Sequence, residues 1–268
     1  MLNRILDRQS DQTRVVLRRR WTWTMATLVL SIASFGCQGP SNWTLAIDEK
    51  TATVSNANRP IFCYRHGEVP YKPYIQTIHT PKGINILRDA PHDHLHHHGI
   101  MYAINVDDVE CWAETKDCGY QISRKTEAIN PHSSGGIDRA GIRQAIEWTA
   151  SDRQKVLLRE DRVVEAIGGR GIDASLITWQ TVLSTPPGKG HSELTGRNYF
   201  GLGMRCVPSM DKGGQFFNAD GKRTVAGTDN VRSKWCAYTA ASDCLVVTVA
   251  MFDHPANPRH PATWFTMD

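Results

Sequence analysis

After its first 37 residues this 268-residue chain has no apolar run near 20 residues, so nothing there predicts a membrane-spanning helix. It has no CxxC pair, which argues against a thiolate zinc site. It has no apolar stripe of period 3.6 sustained over about 12 residues, the pattern a helical core would need. No segment repeats at a fixed period and no internal linker divides the chain. A basic surface is missing too. The formal net charge is +4, but residues 1–36 alone carry six arginines and two aspartates, leaving 25 basic and 25 acidic residues in the rest. A balanced domain has no field to attract nucleic acid or an anionic membrane. The partner to expect is a small molecule.

What is present begins with a leader. Arg14, Arg18, Arg19 and Arg20 precede an apolar stretch from Met25 to Phe35 and then Gly36-Cys37. This order reads as an export signal, with Cys37 as the residue that would be lipidated after cleavage. The expected destination is the periplasm or cell envelope, with the membrane touched only through that anchor. Residues 38–58 are read as linker and first strand, and 59–268 with them as one domain. Six cysteines follow Cys37, and an exported chain permits up to three disulfides among them. The alternative is that several are free, buried and inert.

Short apolar-alternating runs recur through the domain: Trp43–Ile47, Ile61–Tyr64, Ile75–Ile78, Ile84–Leu87, Met101–Val106 and Ile142–Trp148. Further runs are Lys155–Arg162, Ser175–Leu183, Tyr199–Val207, Trp235–Thr239 and Leu245–Phe252. Turn residues separate them, among them Ser134-Gly-Gly136 and Pro186-Pro-Gly188. Many short strands with glycine-rich turns predict an all-β, mostly antiparallel sandwich. The chain stops soon after its last apolar strand, so this sandwich is expected to lack C-terminal strands and to keep an open edge.

The chemistry is concentrated in Arg88–Gly99, RDAPHDHLHHHG, which holds five of the eleven histidines. In an extended strand His94, His96 and His98 would share one face, opposite Asp93, Leu95 and His97. Imidazoles titrate near neutrality, so such a row supplies an acid and a base to one substrate. Asp93 or Glu114 would orient a ring or act as the base. Arg205, on the Gly201-Leu-Gly-Met-Arg205 strand, would clamp a hydroxyl or carboxylate. Arg88, Trp112, His254, Asn257 and Arg259 complete the expected substrate-binding set. A second reading makes His94, His96 and His98 ligands to a divalent metal. Blander readings stand beside these: a solvated loop, Asp89 and Asp93 capping turns, Arg205 paired with a carboxylate, Trp112 in the core, and His254 holding a turn.

The segment from Tyr74 through Arg88-Asp-Ala-Pro-His-Asp-His-Leu-His-His-His-Gly99 to Trp112-Ala-Glu114 resembles a bacterial exported family known as methane oxygenase PmoA-like. Tyr199–Arg205, Trp235–Tyr238 and Phe252–Pro261 with Trp264 extend the likeness over roughly Ile61 to Trp264. The family's domain is similar in turn to galactose-mutarotase-like supersandwiches, which bind sugars on a concave sheet. The resemblance therefore implies a carbohydrate ligand, isomerised or cleaved by histidine acid/base chemistry. The family's label implies instead a copper, iron or zinc oxygenase, and a non-catalytic sugar-binding module is the third expectation.

Overall fold

The computed structural model describes Val15–Arg18 and residues 42–267 apart from 170, 212, 243 and 244. Most of the expected leader, with Cys37, lies outside the described residues, as does Cys244. The first ten strands are β1 (Val15–Arg18), β2 (Trp43–Ile47), β3 (Thr51–Asn56), β4 (Arg59–Arg65), β5 (Tyr74–Ile78), β6 (Ile100–Ala103), β7 (Asn105–Val106), β8 (Val109–Glu110), β9 (Tyr120–Ser134) and β10 (Ile137–Thr149). Then come β11 (Val156–Gly169), β12 (Leu176–Ser184), β13 (His191–Thr195), β14 (Gly201–Met204), β15 (Gln215–Asn218), β16 (Val231–Arg232), β17 (Trp235–Ser242), β18 (Leu245–Phe252) and β19 (Thr263–Trp264). One α-helical turn, Thr224–Thr228, precedes β16. The fold is all-β and antiparallel, as the alternation predicts.

Two sheets make the sandwich. One runs β14-β6-β5-β4-β3-β2 and the other β12-β11-β10-β9. From the first, Ala52, Val54, Phe62, Tyr64 and Ile75 point into a shared core with Ala140, Ile142, Val164 and Ala166 of the second. The three-stranded β15-β17-β18 sheet adds Tyr238, Ala240 and Val247 to that core. A small sheet ordered β1-β13-β7-β8 contributes Val106 and Leu194 to a second cluster with Trp148, Leu157 and Leu158. Its strand β1 falls inside the stretch read as leader. β18 is the outer strand of its sheet and leaves Val246 and Phe252 exposed. At the β9–β10 hairpin Gly135 and Gly136 both have positive φ, 59° and 78°, which side chains with a Cβ rarely adopt.

Between the sheets lies a charged network that composition does not reveal. On β11 the inward positions alternate Leu158, Glu160, Arg162, Val164 and Ala166. Arg162 is fully buried and all five of its N–H donors are used. Nε donates to Glu160 Oε1 at 2.7 Å, and one Nη to Glu160 Oε2 at 2.9 Å and Gln121 Oε1 at 3.0 Å. The other Nη reaches Tyr64 Oη at 2.9 Å and the Pro73 carbonyl at 3.1 Å. Trp148 and Thr181 donate to Glu160 at 2.8 Å each. One side chain thus joins strand β4, the Pro73 backbone and strand β9. Burial lifts the Tyr64 hydroxyl to about 12, so it stays neutral.

One expectation is corrected here, and the two open readings of the cysteines are decided. Ile84–Leu87 is not a strand: Asn85 and Leu87 make single bridges to His79 and Cys206. Among the described residues Cys63, Cys111, Cys118, Cys206 and Cys236 are free thiols. Burial pushes the Cys111 thiol up to about 12 and Cys206 to about 11, which keeps both protonated and unreactive.

Candidate functional site

The Arg88–Gly99 segment is not a strand, so the predicted alternation fails. Pro91 and Ala90, which has φ 42°, break the extended path. The His94 N–H then donates to the Pro91 carbonyl and the His97 N–H to the His94 carbonyl, both at 2.9 Å, making two successive turns. The Ala90 N–H closes the loop on the His97 carbonyl at 2.9 Å. Arg205 clips both ends through its backbone: its N–H donates to the Gly99 carbonyl (2.9 Å), and its carbonyl accepts from Arg88 (3.0 Å). Gly99 can only be glycine, because an added Cβ would sit 2.1 Å from the Ile75 carbonyl oxygen. We expect Gly99→Ala to push β6 off β5 and lower the melting temperature, measured by thermal unfolding, whereas Gly83→Ala has open space but a positive φ and should cost far less.

The turns sort the histidines differently from the sequence reading. His94, His96 and His97 gather together, with ring centroids 4.4–6.0 Å apart. His98 turns inward and is only 4 % exposed. Its Nδ1 meets Asp89 Oδ1 at 2.6 Å and its Nε2 meets Glu114 Oε1 at 3.0 Å. Asp89 Oδ2 also accepts from Tyr74 Oη (3.0 Å) and Gln76 (2.9 Å), while the Tyr74 ring stacks on His98 at 4.2 Å. Glu114 Oε1 takes a second bond, 2.7 Å, from Lys72, which is 1 % exposed and also donates to the Trp112 carbonyl at 2.9 Å. Asp89, His98, Glu114 and Lys72 are thus a continuous relay, with His98 and Lys72 buried and the two carboxylates partly so. Asp89 is a hub of it, not a turn cap.

Charge and burial set the protonation of each member. Burial alone would pull the His98 ring down, but its bonds to Asp89 and Glu114 outweigh that and raise it. Burial would lift both carboxyls, yet the bond from His98, joined by Lys72 at Glu114, holds each below its usual range. Burial lowers Lys72, against the opposing pull of Glu114. With a carboxylate on each nitrogen, His98 must donate from both and is an imidazolium. His97 moves the other way, down to about 4, through burial first and then His96, His94, Arg205 and Lys72. His96 is lowered by burial and by Lys72.

These directions give a pH signature. A raised His98 contributes stability that is complete below its ordinary 6.5 and is lost as pH rises through the folded value. Lowered Asp89 and Glu114 contribute above their ordinary 3.8 and 4.5 and lose it as pH falls through their folded values. The relay is therefore strongest between about 4.5 and 6.5. The stability gap between the native protein and Asp89→Asn, measured by urea unfolding, should be larger at pH 5.5 than at pH 8.5.

The remaining expected residues scatter. Asp93 is exposed and lies 3.1 Å from His94 Nδ1 without proper hydrogen-bond geometry, since that nitrogen is a buried atom with no bonding partner. Trp112, 6 % exposed, stacks on Phe200 at 4.9 Å and stands edge-on to His97 at 6.1 Å, forming a wall and not an open platform. Arg88 is committed to Asp211 at 3.0 Å. His254, Asn257 and Arg259 belong to an exposed turn organised by Asp253, which accepts from Asn257 (2.7 Å) and Ala262 (2.8 Å) and meets His260 Nδ1 at 2.7 Å. His254 Nδ1 accepts from Ala256 within that turn, and the Arg259 carbonyl accepts from Arg232. Nothing among these bonds brings the turn to the histidine loop.

The metal reading is corrected by the same geometry. Both His98 nitrogens are occupied, leaving no lone pair for an ion, and no three or more His, Cys, Asp or Glu side chains among the described residues are disposed to hold one. His97, Lys72 and Asp89 were missed as site residues. A strand assumption put His97 on the wrong face, and no spacing rule joins Lys72 to Glu114. Two clefts lie elsewhere: one of about 280 Å³ beside the stacked Tyr71 and Tyr120, and one of about 490 Å³ on the outer face of the β9–β12 sheet around Glu147 and Arg159.

Residues 51–268 match the family model described as "Family of unknown function (DUF6807)". No curated protein and no solved structure matches the chain.

Proposed function

The chain belongs to that family of unknown function, and from the histidine loop we propose that it binds a carbohydrate and moves protons at its anomeric centre with His96 and His97. The observation that carries this reading is the division of labour in the loop. One imidazole, His98, is buried and locked between two carboxylates, while His94, His96 and His97 cluster together, and neither His96 nor His97 hydrogen-bonds a carboxylate among the described residues. His96 and His97, lowered by burial, are neutral at pH 7. A neutral imidazole accepts the proton of the anomeric hydroxyl, and the imidazolium so formed gives a proton to the ring oxygen, directly or through the neighbouring ring. The C–O ring bond breaks, the open aldehyde forms, and reclosure reverses the transfers. Asp89, His98, Glu114 and Lys72 are positioning residues that hold the loop for this.

The test is anomer interconversion. Exchange spectroscopy on fresh α-glucose and α-galactose should show faster interconversion with the protein. General acid/base catalysis is worth roughly 10²–10⁴-fold, so His97→Asn should lose about two orders of magnitude of that acceleration with its fold intact. Because His97 titrates near 4, the activity should be level from pH 6 to 8 and fall below about pH 4.5. A native protein that neither binds nor accelerates any neutral sugar in a broad panel contradicts the reading.

A further inference from the structure

We propose that the same site carries a carboxylate-binding subsite, formed by Arg205 and the Trp112 indole N–H, and that the preferred ligand is a uronic acid. This rests on the carbohydrate reading only for the word sugar; the subsite itself stands on the geometry of these two residues.

Arg205 is the uncompensated cation of the site. Lys72 is neutralised by Glu114, His98 by Asp89, and Arg88 by Asp211. No carboxylate among the described residues lies within ion-pair distance of Arg205, and its Nε is buried without a hydrogen-bond partner. An unpaired guanidinium nitrogen taken out of water is costly unless a ligand meets it. Trp112 Nε1 is buried and unpartnered in the same way. Backbone register puts the two together. The Trp112 ring lies over Gly203, where an added Cβ would be 3.3 Å from Cη2, and Arg205 follows that strand directly, one residue beyond its end at Met204. His97 ties the group to the acid/base residues, since its ring stands edge-on to Trp112 and Arg205 contributes to its lowered basicity.

Two buried N–H donors and one net positive charge suit a planar monoanion. A guanidinium fork meets a carboxylate with two parallel bonds, and an indole N–H adds a third. A neutral hexose offers only a hydroxymethyl group at the corresponding place and leaves the charge unanswered. Gly203 has no side chain to press on the Trp112 ring, which a Cβ there would meet at 3.3 Å.

The experiment compares glucuronate, glucose and acetate by calorimetry and by the Trp112 indole N–H resonance at low and high salt. Glucuronate is expected to bind at least about tenfold tighter than glucose at low salt, an advantage that shrinks as salt rises. Arg205→Gln, checked for an unchanged melting curve, should reduce that preference to within about twofold, and Trp112→Phe should weaken it while keeping the ring stack. If Arg205→Gln does not fold, the native protein decides alone, because acetate must shift the Trp112 N–H signal while acetamide must not. Equal affinity for glucuronate and glucose, or a preference that survives in Arg205→Gln, overturns the subsite. An acetate response without any neutral-sugar binding or anomer exchange supports the subsite and contradicts the sugar chemistry. Anomer exchange with no carboxylate response does the reverse.

Discussion

Replacing Arg162 with methionine should destabilise the protein by about 3–5 kcal/mol, the usual cost of breaking a buried ion pair by removing one partner. For a domain of this size that is a fall in melting temperature of about 6–20 °C. The cause is asymmetry. Methionine fills much of the space, but Glu160 stays fully buried with its charge unanswered, and Gln121, the Pro73 carbonyl and Tyr64 each lose a donor. A second change, Glu160→Gln, should recover part of the loss in the Arg162→Met background, because a neutral amide needs no counter-charge while still accepting from Trp148. Thermal and urea unfolding of the two single variants and the double measure the coupling directly. Additive effects would mean that the pair is not a unit.

The second large effect is expected at Lys72. Lys72→Met removes the cation beneath Glu114 and the donor that fixes the Trp112 carbonyl. Glu114 then keeps only His98 as a charged partner, so its carboxyl rises and the His98 ring loses part of its hold on a proton. The expected loss is about 3 kcal/mol of stability, in the range for a broken buried pair, together with most of the anomer-exchange activity. Lys72→Arg is a useful partner variant: it restores charge but not the compact geometry at 1 % exposure, and should recover stability only partly. A methionine tolerated within about 0.5 kcal/mol, the scale of an ordinary surface change, would show that the relay carries little of the site's order.

How far these features could be read from sequence depends on what signals them. Strands β2 and β18 have the bounds that their apolar alternation predicts, since each presents one face to a core and one to solvent. The 15-residue β9 was not legible. Its sequence YQISRKTEAINPHSS is polar on both faces because the inward positions Gln121 and Thr126 bond to other polar groups, not to a greasy core. The Glu160–Arg162 pair hid for the same reason: an i, i+2 charge pair on a strand looks like a solvated face until the sheet above it is known. In the histidine loop, composition marked the right segment and the wrong geometry. Turns around Pro91 rotate His98 inward and His97 outward, and hydrogen bonds across 9 and 16 residues, from His98 to Asp89 and Glu114, leave no local trace. Glu114 and Arg205 were readable as polar residues in motifs. Their contrasting states, one saturated and one unanswered, were not.

The central claim is that neighbouring histidines hold opposite protonation states, and the nitrogen-15 chemical shifts of their imidazole rings at pH 6 test it most directly. His98 should show two protonated nitrogens with imidazolium shifts, and it should lose its second proton only above the ordinary 6.5. His97 should show one protonated and one bare nitrogen down to about pH 5. A neutral His98, or a His97 that takes up a proton near pH 6.5 like a free side chain, would contradict the account.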